Sequence, residues 1–106
     1  MYKHHLKIVE NDYVGNEVQI YRPKLNEIII KLPTNKFTIK LFTPLFDIES
    51  ISPATISIKG VSKDRYEIEI KTKEYKLSTV VPSLILEIFN PKGDRIIKIV
   101  APPDHD

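Results

Sequence analysis

The chain of 106 residues contains no cysteine. That excludes a disulfide framework, a thiolate metal site and a cysteine nucleophile at once. Alanine occurs only at Ala54 and Ala101. The strongest helix former is therefore nearly missing, while isoleucine, which suits strands, occurs seventeen times. The three glycines, Gly15, Gly60 and Gly93, are not spaced to cradle a phosphate. No apolar run approaches the ~20 residues that a membrane-spanning helix requires, so no membrane contact is expected.

Catalytic groups are equally scarce. The three histidines, His4, His5 and His105, all lie within six residues of a terminus. His4 and His5 are adjacent, and on a strand they face opposite sides and do not readily share an ion. Asp104-His105-Asp106 would have to be ordered before it held a cation, which costs conformational entropy. None of the six serines has an elbow motif or a central histidine to activate it. Glu67 and Glu69 share a strand face at about 7 Å by strand rise. Arg65 and Lys71 flank them, so ion pairing on a wet face is the simpler account. The sequence assigns no catalytic residue, no metal and no cofactor, and it predicts neither an enzyme nor a small-molecule substrate.

Charge excludes little. Lys and Arg exceed Asp and Glu by 16 to 14, weaker than the basic bias of a dedicated nucleic-acid binder. The richness in Ile, Lys and Glu, with the lone Gln19, resembles the bias of heat-adapted proteins. The first residues lack the apolar core of a secretory signal. If Met1 is the natural start, the expected compartment is the cytoplasm.

What is present is alternation. Arg65-Tyr66-Glu67-Ile68-Glu69-Ile70-Lys71 places an apolar residue at every second position and a charge in every gap. A strand sends successive side chains to opposite faces, so this stretch has one dry side and one wet side. Similar patterns predict eight main strands at 6–9, 17–21, 27–32, 36–42, 54–59, 65–72, 84–89 and 95–100, with a weaker candidate at 75–81. Asn90-Pro91-Lys92-Gly93-Asp94 is turn chemistry between the last two. The stretch 43–53 breaks the pattern with Pro44 and Pro53 and is expected to cross between sheets. The expected fold is an all-β, two-layer antiparallel β-sandwich of the immunoglobulin-like Greek-key kind, with about seven to nine strands. One domain at 1–101 and a frayed tail at 102–106 complete the reading.

Function rests on apolar excess. The strands at 28–30, 84–89 and 96–100 are apolar on both faces, and Leu45, Phe46 and Ile48 add to them. A two-layer fold buries one face per sheet, so the surplus suits a protein partner or self-association. The expected interface comprises Ile85, Phe89, Ile96, Val100 and Phe46, helped by exposed strand edges. The alternative is a nucleic-acid-binding accessory protein. Its lysines Lys71, Lys73 and Lys76 would meet phosphates, and Tyr75 would stack on a base.

Overall fold

Alternation at this density leaves each strand one apolar face, and ten strands pool those faces in a single core. The computed structural model describes residues 6–13, 15, 17–33, 36–51 and 53–101. The strands are β1 (Lys7–Asn11), β2 (Gln19–Lys24), β3 (Glu27–Leu32), β4 (Thr38–Phe42), β5 (Asp47–Ile51), β6 (Ala54–Ser62), β7 (Arg65–Lys71), β8 (Lys76–Val81), β9 (Leu84–Phe89) and β10 (Arg95–Ala101). Among the described residues there is no helix. The histidines His4, His5 and His105 and the tail at 102–106 lie outside the described residues.

Two five-stranded sheets result. The first is ordered β1-β10-β9-β4-β5 and the second β2-β3-β6-β7-β8. All neighbouring strands are antiparallel. The chain passes between the sheets after β1, β3, β5 and β8, and the remaining connections are local hairpins. One contiguous cluster of buried side chains draws on both sheets. Ile39, Leu41, Leu86, Ile88 and Ile99 come from the first, and Ile28, Ile30, Ile56, Ile68 and Ile70 from the second. Each fully buried side chain of this size contributes about 1.5–3 kcal/mol of transfer free energy.

Three local features depart from the sequence reading. The stretch expected to cross between sheets holds a strand, β5, paired with β4 from Thr38↔Ile51 to Phe42↔Asp47. The turn that starts it is built by Thr43. The Thr43 hydroxyl accepts the Leu45 and Phe46 amides at 3.1 and 2.9 Å and donates to the Phe46 carbonyl at 2.8 Å. Pro44 lies in that turn and Pro53 beyond the strand's end, so neither removes a ladder donor. The weak candidate at 75–81 is the complete edge strand β8. Among the described residues the count is therefore ten, above the expected seven to nine. Third, the β9–β10 register slips between Arg95 and Ile97. A bulge inserts one extra residue there, and both Ile96 and Ile97 end up buried.

Polar staples close the ends. Arg22 donates from Nη2 to the carbonyls of Leu6 and Leu25, the latter at 2.8 Å. The Leu6 amide donates to the Leu25 carbonyl at 3.2 Å. The approach to β1 in the first sheet is thereby tied to the β2–β3 turn of the second.

Candidate interaction surfaces

Strand register turns the outward residues of each sheet into cross-strand rows, about 4.8 Å from strand to strand. On the first sheet one row reads Asp47–Phe42–Ile85–Val100–Lys7, running from β5 to β1. Its middle is apolar and its two ends carry opposite charge. The next row reads Glu49–Lys40–Glu87–Lys98–Glu10, alternating in sign across all five strands. The third holds Ile51, Thr38, Phe89 and Arg95.

Side chains lock the charged row together. Arg95 donates to Glu87 at 2.6 Å and to Glu10 at 2.8 Å. Those two bonds, Glu87 first and Glu10 next, push the guanidinium further above its ordinary pKa. Lys40 lies 3.9 Å from Glu49 and 5.0 Å from the centroid of the Phe89 ring.

The five residues expected to form the interface therefore fall in four places. Ile85 and Val100 stand side by side in the apolar row. Phe89 faces outward as well, but the charged row separates it from them, and Lys40 partly covers it. Ile96 is 6% exposed and belongs to the core, because the bulge turns it inward. Phe46 is half-buried against the core beside the Thr43 turn. The expected interface leaves out Phe42, and it leaves out Leu45 although the apolar excess counts it. Phe42 is opposite Ile85, and Leu45 is 67% exposed in the adjoining turn. The signal for Phe42 was plain: Leu41 points inward, so its neighbour must point outward. A shallow groove of about 340 Å³ ends this row, lined by Phe42, Pro44, Ile85 and Val100 among others.

The second sheet presents a different outer face. One row reads Gln19–Lys31–Thr55–Lys71–Lys76. It contains no acid, and Lys71 and Lys76 stand directly opposite each other. Lys76 is 3.6 Å from Glu69, and Lys31 lies 5.3 Å above the Tyr21 ring. Among the described residues Lys71 has no ion pair within 4 Å. The row borders an open groove of about 650 Å³ that Lys73 also lines. Of the nucleic-acid candidates, Lys71 and Lys76 share this row. Lys73 and Tyr75 lie in the turn between them, where the Thr72 hydroxyl accepts the Glu74 and Tyr75 amides, both at 3.1 Å. Lys31, Gln19 and Thr55 were not legible as members, because they join only through strand pairing.

Glu67 and Glu69, on one face of β7, each meet a lysine. Glu67 stands opposite Lys59, and Glu69 pairs with Lys76. Among the described residues no three His, Cys, Asp or Glu side chains are grouped to hold a metal ion. Nor, among them, is any helix long and apolar enough to cross a membrane. Comparison with known proteins finds no matching family model, no matching curated protein and no matching solved structure.

Proposed function

We propose that this protein is a two-layer β-sandwich of the immunoglobulin-like Greek-key kind and works without catalysis, by protein contact. One core shared by two antiparallel sheets supports the architecture. So does the return of distant segments as neighbours, β6 beside β3 and β9 beside β4. The observation that carries the functional reading is the row Phe42–Ile85–Val100. It is apolar beside a row that alternates in charge, and it is continued by Pro44 and Leu45. Exposed apolar residues gathered at one site, with charges at the rim, are the chemistry of a contact surface.

Co-purification from the source cells tests the reading, with the wild-type chain compared against Phe42→Ser/Ile85→Lys. Both positions are exposed, so the variant keeps its core. A protein retained by the wild type and lost by the variant supports it. Equal recovery by both chains contradicts it.

The row Lys31–Thr55–Lys71–Lys76 favours a second reading, a nucleic-acid-binding accessory role. Like charges held opposite each other cost free energy, and a polyanion would offset that cost by meeting several lysines at once. A labelled single-stranded oligonucleotide tests it. Salt-dependent binding that is lost on Lys31→Glu/Lys71→Glu supports this role, and no binding at low salt ends it.

A further inference from the structure

Sheets leave edges, and an edge with unpaired amides and carbonyls will pair unless something prevents it. The four edge strands here are β1 and β5 of the first sheet and β2 and β8 of the second. Three carry a device against pairing. The register of β1 breaks between Ile8 and Glu10. That of β2 breaks between Tyr21 and Lys24, with Pro23 inside the strand. β5 has Glu49 at its centre and Asp47 at its end. β8 has neither a break nor a proline, and its one charge, Lys76, stands at its first residue. Its register runs unbroken from Tyr66↔Val81 to Lys71↔Lys76, and Leu77-Ser78-Thr79-Val80-Val81 is uncharged. Among the described residues, β8 pairs with β7 alone.

We propose that β8 pairs antiparallel with β8 of a second copy about a two-fold axis at Ser78, joining two second sheets into one. The inference rests on the protein-contact reading and names its edge and its partner. In this register Ser78 meets Ser78, Leu77 meets Thr79, and Lys76 meets Val80 of the second copy. Every pair keeps its face: Leu77 and Thr79 are half-buried toward the core side, while Lys76 and Val80 are outward. The charges also fit. Lys76, crowded by Lys71 on its own β7, gains on its other side Val80 of the second copy, with Glu67 one strand beyond. A slip of one residue would put inward side chains opposite outward ones.

Light scattering during size-exclusion chromatography, combined with cysteine cross-linking, tests the inference. The chain has no cysteine, so Ser78→Cys introduces a single thiol whose twin lies within disulfide range only if the strands pair at that residue. The expected results are a dimeric wild type, a disulfide-linked dimer of Ser78→Cys on mild oxidation, and no such dimer from Ser50→Cys on β5. Val80→Lys should weaken the dimer at least tenfold, because it sets Lys against Lys76 of the second copy. Within its own subunit the new lysine faces Glu67, so the fold is retained and the thermal midpoint serves as the control. A strictly monomeric wild type, or a dimer unaffected by Val80→Lys, overturns the inference. A dimer that survives Val80→Lys but is lost on Ile85→Lys also overturns it, while leaving contact through the first sheet standing.

Discussion

Lys71 and Lys76 face each other across the β7–β8 ladder, both on the outer side of the second sheet. Like charges so placed cost about 0.2–1 kcal/mol, and solvent screening keeps the figure at the low end. Lys71→Glu removes that repulsion and supplies an acid opposite Lys76. Urea denaturation should show a gain of a few tenths of a kcal/mol, shrinking as salt is added. Any polyanion binding by this row should fall in the same variant. Opposite signs for stability and binding would mark a site kept at a cost to the fold.

Inner and outer isoleucines should respond very differently. Ile68 is 1% exposed and Ile85 is 38% exposed. Ile68→Ala opens a cavity in the shared core and should cost about 2–5 kcal/mol. Ile85→Ala should lie within about 0.5 kcal/mol of the wild type. Chemical denaturation of the two variants is sufficient to check the assignment of faces.

The loop after β1 is organised by Tyr13. Its hydroxyl accepts the Glu17 amide at 2.7 Å and the Val18 amide at 3.3 Å, and its ring meets Phe37 edge-on at 6.1 Å. Tyr13→Phe leaves the ring packing but removes the acceptor, with an expected loss of about 1–2 kcal/mol. Gly15 lies against the same ring with φ +152°, and a Cβ there would come within 2.6 Å of the hydroxyl. Gly15→Ala should therefore also destabilise, and in Tyr13→Phe its added cost should shrink, because the colliding oxygen has gone. A double-mutant cycle measures that coupling.

Asn26 and Gly60 exchange two hydrogen bonds. The Asn26 side-chain amide donates to the Gly60 carbonyl, and the Gly60 amide donates to the Asn26 carbonyl, both at 2.8 Å. Asn26→Ala keeps the backbone half and leaves a part-buried carbonyl without its donor. A loss of about 1 kcal/mol is expected in thermal or urea unfolding.

The final hairpin turns on Gly93, whose φ is +89° with open space where a Cβ would sit. Asn90 accepts the Lys92 and Asp94 amides at 3.0 and 2.9 Å beside it. Gly93→Ala should cost about 1 kcal/mol from backbone conformation alone, whereas Gly93→Asn, which tolerates that region better, should cost less.

Much of this architecture can be read from alternation. β7 shows it without a break, and its burial follows the sequence residue by residue. The reading fails where geometry adds or hides a residue. Ile96 and Ile97 look like one outward and one inward side chain, but the bulge buries both. β5 is masked by the prolines around it, although its turn has a signal. Thr43-Pro44-Leu45-Phe46 and Thr72-Lys73-Glu74-Tyr75 are both Thr-x-x-aromatic, and both fold around the threonine hydroxyl. The surfaces were harder still. Phe42 and Ile85 lie 43 positions apart in the chain, and Lys31 joins Lys71 only through β6. Rows across a sheet depend on strand order, and one-dimensional periodicity carries none.

Hydroxyl-radical footprinting of the chain in an extract of its source cells, set against the purified chain alone, tests the proposed contact surface most directly. Protection of Phe42, Ile85 and Val100, with Tyr21 beside the lysine row left reactive, is the predicted result. Protection confined to Tyr21 and Tyr75, with Phe42 and Ile85 as open as in the isolated protein, would contradict it.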